Sequence, residues 1–369
     1  VNSSMAHRLF TAEEEYPDLE NHHSHMAHCL TETVYKQLRG VETDSGFTID
    51  DVIQLGVDNP GEPYLMPAGC IAGDEESYRA FSAFFDQVLE ARHNGFKKND
   101  VSRNNTMSEN VKGGDFDGKY ALTSYVTSRR NVKGFALPGH FTRGERRKVE
   151  AIAKSALSGC DGEFGGQYFS IKGSSDKDLE QLAVVFKQPI SATSQPTIFA
   201  RDWPDSRGFW YNAKKNFLVK VNEEDHLSVL STETGGNLVP SFRRWVEGVA
   251  AIENGVKKSG NEFMHDERYG YIATCPTNVG TSLKVGVVLK IPKMMKYCRL
   301  EEALMRLRLE KIDLGDCVDV SNIDRIGLTE VEILELVIEG VQFLIDCEER
   351  LEKGQKIEKY DPIKSYGKE

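Results

Sequence analysis

Phe217-Leu218-Val219-Lys220-Val221-Asn222-Glu223-Glu224-Asp225-His226 joins an apolar, β-branched run to three consecutive carboxylates. Such a run reads as a buried strand that ends at a polar mouth. Residues 120–127 and 285–291 carry the same strand signature, and a shorter one covers residues 270–273. Helical spacing of apolar residues marks 144–156, 239–259, 300–309 and 330–351. Strands and helices are mixed without regular βαβ alternation, and no internal repeat is present. The fold class expected is therefore α+β, a mostly antiparallel β-sheet flanked by helices.

Upstream of residue 97 no strand pattern occurs. Apolar residues recur at helical intervals through 28–38, and Thr48 precedes Ile49-Asp50-Asp51 as an N-cap with acids in the first turn. Residues 74–90 read as one more amphipathic helix, and Asp58-Asn59-Pro60-Gly61-Glu62-Pro63 is a dense turn signal. The division expected is a polar tail on the surface over 1–20, a small all-helical domain over 21–96, a polar linker over 97–116, and the α+β domain over 117–369.

With 369 residues, the chain suits one large domain or two ordinary ones and needs no disulfide or metal to secure its core. The formal net charge of −11 speaks against nucleic acid or an anionic membrane as the partner of the whole molecule. A local basic pocket for a small anion stays open. Seven cysteines, scattered and without a CxxC pair, point to reduced thiols in the cytoplasm rather than to a zinc site or a disulfide framework. No apolar run is long enough for a membrane span, and the start of the sequence has no signal-like apolar stretch.

Three clusters could carry chemistry. The carboxylates Glu223, Glu224 and Asp225 at a strand mouth could hold a guanidinium or amine, or act as a base; acids at a strand end are also ordinary solvated turn residues. Cys275, in Thr274-Cys275-Pro276-Thr277-Asn278, is followed by hydroxyls and Gly280, donors that could lower a thiol pKa; a small buried cysteine at a turn is an equal alternative. Arg201-Asp202-Trp203-Pro204-Asp205-Ser206-Arg207 could form an ion-pair network or a subunit contact. There is no P-loop, GxGxxG, HExxH or GxSxG.

Taken together, the motifs resemble those of the phosphagen kinases, the ATP:guanidino phosphotransferases that include creatine, lombricine and glycocyamine kinases. The similarity runs through Ser45-Gly46-Phe47-Thr48, Asp58-Asn59-Pro60-Gly61, Ala72-Gly73-Asp74-Glu75-Glu76-Ser77-Tyr78, Arg143-Gly144-Glu145-Arg146-Arg147, the Arg-Asp-Trp-Pro-Asp loop, Asn222 to His226, Cys275-Pro276-Thr277-Asn278 and Asp319-Val320-Ser321-Asn322. It covers nearly the whole chain, in family order. The resemblance implies a helical N-terminal domain, a larger sheet domain, a cleft between them, a homodimer, and Mg-ATP or Mg-ADP as cofactor without a metal site on the protein itself. It implies catalytic roles for Glu223, Glu224 and Cys275, and substrate binding by Gly61, Glu62, Pro63 and Arg92.

The departures fall on the side of the nucleotide. Where the family has Ser-x-Arg-Val-Arg, this chain has Ser124-Tyr125-Val126-Thr127, with Arg129 and Arg130 following. Further phosphate-binding arginines are replaced by Ser228 and Lys284, an adenine-side histidine by Val288, and the mobile Arg-Gly-Thr loop by the shorter stretch 311–318. Charge-assisted bonds contribute about 1.5–3 kcal/mol each, so the loss of four arginines removes on the order of 6 kcal/mol, or roughly four decades in Kd. Three readings follow: a pseudoenzyme with a scaffold, binding or regulatory role; a working guanidino kinase with an atypical nucleotide site, Arg129 and Arg130 having taken over; or a cleft turned to another ligand, with a small guanidine or amine as one candidate.

Overall fold

The computed structural model describes residues 9–62, 66–94, 96–194 and 196–357. Short helices make up the N-terminal part: α1 (Ala12–Glu15), α2 (His25–Cys29), α3 (Glu32–Leu38), α4 (Ile49–Asp58), α5 (Ser77–Ala80) and α6 (Ser82–Arg92). Side-chain caps set their starts. Thr11, Ser24, Thr31 and Thr48 each accept a backbone N–H in the first turn. The two long helices expected over 28–38 and 74–90 are each broken. Thr31 caps a new helix after Leu30 turns extended, and Phe81 leaves helical geometry at φ −104, ψ 29. Within the segment expected to be a surface tail, α1 buries Ala12 and its Glu15 pairs with Arg39.

Beyond residue 114 strands take over: β1 (Asp115–Phe116), β2 (Ala121–Arg130), β3 (Gly166–Ser170), β4 (Gly208–Asn212), β5 (Phe217–Val221) and β6 (Leu227–Thr234). They continue with β7 (Gly236–Asn237), β8 (His265–Asp266), β9 (Gly270–Tyr271), β10 (Lys284–Leu289), β11 (Leu309–Asp313) and β12 (Val318–Asn322). Eight of them form one sheet in the order β11-β12-β10-β2-β6-β5-β4-β3, and every pairing is antiparallel. The helices of this part are α7 (Arg143–Ser158), α8 (Asp176–Phe186), α9 (Thr197–Ala200), α10 (Leu238–Lys258), α11 (Pro292–Met295), α12 (Leu300–Leu307) and α13 (Glu330–Glu352). Helix α10 packs on α7, β2 and β6, while α13 covers β10 and β12. The architecture is thus a helical N-terminal domain plus an antiparallel sheet flanked by helices. Of the stretch 311–318, expected as a shortened loop, residues 314–317 are the loop and the rest is paired: β11 and β12 form a hairpin closed by Leu314 N–H donating to the Cys317 carbonyl at 2.9 Å.

The apolar interior has two main bodies. One lies under the sheet around Trp245, Phe242, Val285 and Val337. The other belongs to the helices, around Met26, Ile49, Phe84 and Phe85, but it includes Leu137, Phe199, Tyr269, Ile272 and Val279 from the sheet domain. Hydrogen bonds stitch the same junction: Ala72 N–H donates to the Thr274 carbonyl at 2.8 Å, and the Tyr78 hydroxyl to that of Ala273 at 2.8 Å. Among the described residues no helix is long and apolar enough to cross a membrane.

Candidate active site

The acidic strand end is fixed by a tight turn. Asn222 sits at φ +58, its N–H meets the His226 carbonyl at 2.9 Å, and its side-chain amide donates to the carbonyls of Arg146 and Ser206. His226, buried, accepts the Val132 N–H at Nδ1 and donates from Nε2 to the Ala136 carbonyl at 2.9 Å; burial lowers its pKa to about 4, so it is neutral. This frame gives the three carboxylates different surroundings. Glu223 accepts from Gln188 at 3.0 Å and lies 3.3 Å from the Lys220 ammonium. Asp225, buried, accepts from Asn131 and from the Thr274 N–H, both at 2.8 Å, while its Oδ2 has no hydrogen bond. Burial, reinforced by the charge of Asp225, pushes Glu224 up to about 7. All three line a cavity of about 350 Å³, shared with Arg129, Gln188, Phe199, Lys220 and Ser228.

Cys275 comes to the same place because Thr274 bridges both carboxylate neighbours: its hydroxyl bonds the Glu224 carbonyl at 2.7 Å and its N–H bonds Asp225. Of the two readings of this thiol, the buried cysteine is the one that matches. Burial, with the charge of Glu224 added, pushes Cys275 up to about 11, and the Thr277 hydroxyl 3.1 Å away offsets only part of this. Cys275 is therefore a neutral thiol at pH 7. Just beyond it, the Pro276 carbonyl receives Nε2 of His93 at 2.9 Å, which ties the loop to the end of α6.

On the sheet beside this acidic end, Tyr125, Thr127 and Arg129 share one face of β2, since side chains alternate along a strand. Tyr125 lies across Gly286 of the neighbouring strand and donates its hydroxyl to Asp319 at 2.9 Å. A Cβ at Gly286 would stand 2.4 Å from the Tyr125 ring, so only glycine permits this arrangement. Arg129 bonds the hydroxyls of Ser228 and Thr127 and lies 3.8 Å from Asp225. Arg130 points to the opposite face, buried, with its guanidinium 3.5 Å from the Tyr271 ring centre. Lys284 pairs in register with Thr127, and Val288 with Thr123 and Asp319. Ser282 takes a left-handed φ of +60 and accepts the Arg129 N–H at 2.8 Å.

Two family models match this chain: the ATP:guanido phosphotransferase N-terminal domain over residues 20–90 and the C-terminal catalytic domain of the same family over residues 148–351. The chain belongs to the ATP:guanido phosphotransferases. Among curated proteins it is 48% identical to creatine kinase M-type of Bos taurus over 98% of both chains, and 48% identical to that of Gallus gallus over 96% of this chain and 97% of the other. Among solved structures it is similar to a lombricine kinase, with TM-score 0.85, 36% identity, and coverage of 94% of this chain and 98% of that one. It is also similar to a substrate-free duplicated taurocyamine kinase from Schistosoma mansoni, with TM-score 0.81, 26% identity, and coverage of 90% of this chain and 48% of that one.

Within this guanido phosphotransferase the expected site residues do not all converge. Glu223, Glu224 and Cys275 are drawn together through Thr274. Gly61 and Glu62 are exposed, with Gly61 against His23 and Pro67 of the helical domain; Pro63 lies outside the described residues. Arg92 reaches across from α6 to the hairpin, donating to Glu310 at 2.8 Å. On the nucleotide side, the side chains are engaged within the chain. Tyr125 is engaged with Asp319, Arg129 with its own sheet, and Lys284 and Arg325 lie 3.9 and 3.8 Å from the Glu310 carboxylate. Three participants were not foreseen: Gln188, Glu310 and Arg325. Gln188 and Arg325 act at long range in sequence and carry no local signal, whereas the period of two along β2 already puts Arg129 beside Tyr125 and Thr127.

Proposed function

We propose that this guanido phosphotransferase homologue acts as a dimeric binding, scaffold or regulatory protein in the cytoplasm, with little or no phosphoryl transfer. In this reading its cleft receives a small guanidine or amine. One observation supports it: three carboxylates line the cavity, while Tyr125, at a position where the family has an arginine, lies on Gly286 and is bonded to Asp319. Glu223, Glu224 and the unbonded Oδ2 of Asp225 offer carboxylates to a cation in a cavity of about 350 Å³. A net charge of −11 weighs against nucleic acid and anionic membranes as partners.

A second reading, an active ATP:guanidino phosphotransferase with an atypical nucleotide site, draws on Arg129. This arginine lies on the face of β2 that Tyr125 and Thr127 occupy. Glu224, with a pKa of about 7, also has the affinity wanted of a base at neutral pH. Calorimetry with ADP–Mg and a panel of guanidines and amines, run beside a phosphotransfer assay, separates the two. Guanidine or amine binding without ADP–Mg binding is the result expected. Phosphoryl transfer at about 1–100 s⁻¹, the ordinary range for kinases, would establish the second reading instead.

A further inference from the structure

Glu310, on the edge strand β11, stands at the meeting point of three cations from three different elements. Its Oε2 accepts from Arg92 Nη2 of α6 at 2.8 Å, and its Oε1 lies 3.8 Å from Arg325 Nη2 and 3.9 Å from Lys284 Nζ of β10. Three positive charges face this carboxylate, and Asp319 adds a second negative charge on the Lys284 side. Burial pushes Glu310 up, yet Arg92, Arg325 and Lys284 together hold it below the usual carboxylate range. Burial and neighbouring Arg325 lower Lys284, with Glu310 and Asp319 only partly offsetting them. Arg325, itself buried, is lowered to about 10, first by burial and then by repulsion from Arg92 and Arg129. Three cations thus share the charge of Glu310, with Asp319 acting on Lys284.

A second observation is independent of charge. The buried Nε atoms of Arg92 and Arg325 both lack a hydrogen-bond partner. A guanidinium offers five N–H donors, and an anion with several oxygens satisfies more of them than one carboxylate does. Buried donors left without a partner are costly, so an oxyanion that reaches them gains on entering.

At Lys284 the family resemblance already implies a phosphate contact; we propose that in this chain Glu310 of the β11–β12 hairpin occupies the anion position between Arg92, Lys284 and Arg325 as a tethered competitor for a phosphate-bearing ligand. The competitor belongs to the same chain, so its effective concentration is fixed by the hairpin and cannot be diluted away. An incoming phosphate must displace it, and the observed affinity is reduced by the fraction of time Glu310 is seated. This concerns equilibrium anion binding and stands whether or not the cleft transfers phosphate.

The test is calorimetric titration of the full chain with inorganic pyrophosphate, without nucleotide or guanidine. Glu310→Gln keeps the side-chain shape and removes the charge, and its affinity for pyrophosphate should rise at least about tenfold over wild type. Adding Lys284→Met to Glu310→Gln should take most of that gain back. Glu302→Gln removes an exposed carboxylate of α12 paired with Arg299 and controls for net charge alone; it should leave affinity at the wild-type value. Should Glu310→Gln fail to fold, Glu310→Asp withdraws the carboxylate by one methylene and should show a smaller gain. Equal affinity in wild type and in whichever Glu310 variant folds overturns the proposal, as does an equal gain in Glu302→Gln.

Discussion

Glu224 is the residue whose protonation most distinguishes this cleft from a solvated turn. Its ordinary value is 4.5 and its folded value about 7, raised by burial and then by Asp225, with Arg129 and Arg325 pulling the other way. The folded chain thus binds this proton more tightly than the unfolded one. The contribution to stability is complete below about pH 4.5, falls as pH rises, and is gone above about 7. Glu224→Gln removes the titration. At pH 8 the variant should be more stable than wild type, by on the order of 2 kcal/mol, and its advantage should vanish near pH 4.5. Denaturant titrations at the two pH values check this, and an equal difference at both would sink it.

The missing arginines invite repair at the same scale. Tyr125→Arg, Thr127→Arg, Ser228→Arg and Lys284→Arg together should recover measurable ADP–Mg affinity, while single replacements should do little because each new guanidinium lacks its partners. Turnover should recover less, because the hairpin 309–322 is paired into the sheet rather than free to close over the site. A quadruple variant that folds yet binds no ADP would mean that the cleft has been rebuilt. Much of the site was legible beforehand. The run Glu223-Glu224-Asp225 and the Cys-Pro loop stood out by composition, and their juxtaposition followed from the family motifs. The protonation state of Cys275 was not legible, because hydroxyls near in sequence suggest a lowered pKa while burial, a tertiary property, decides the direction.

Among elements, the β11–β12 hairpin was the least readable. Leu309-Glu310-Lys311-Ile312-Asp313 has charges on both sides of its apolar residues, and edge strands need only one apolar face. What holds it is packing from beyond its own sequence. Leu309 is buried and reaches α13 at Gly340, where an added Cβ would stand 2.5 Å from its Cδ1. Leu309→Ala should therefore cost about 2–5 kcal/mol, read as a lowered denaturation midpoint with unchanged slope; a loss under about 1 kcal/mol would show that the hairpin is held otherwise. The long helices α7, α10 and α13 were readable because their apolar stripes run for four turns or more. The N-terminal helices were misjudged for the opposite reason. Threonine inside a helical run looks neutral by propensity, yet Thr31 serves as an N-cap and starts a new helix.

For the whole molecule, the loop Arg201–Arg207 and the start of α7 are joined by ion pairs, Arg143–Asp202 at 2.8 Å and Arg147–Asp205 at 2.9 Å. The arginines of these pairs remain largely exposed. This loop is the candidate subunit contact read from the sequence, and with the dimer proposed above it predicts a dimer in solution. Sedimentation at micromolar concentration should give about twice 41.4 kDa; a clean monomer would count against it.

The shared core at the domain junction bears on how the chain could be divided. Residues 97–114 contain no helix or strand, so they are an inviting place to cut. Yet the helical half shelters Phe199, Tyr269, Ile272 and Val279 from the far side of that cut, and Tyr78 is hydrogen-bonded to Ala273. Each half therefore leaves part of its core uncovered when the other is removed. Two polypeptides covering 1–104 and 105–369, expressed separately, should each be poorly folded alone and should reassemble when mixed. They would behave as a split protein whose halves find each other without any added fusion partner. A 1–104 fragment that melts cooperatively by itself would show that the junction is a contact between finished domains.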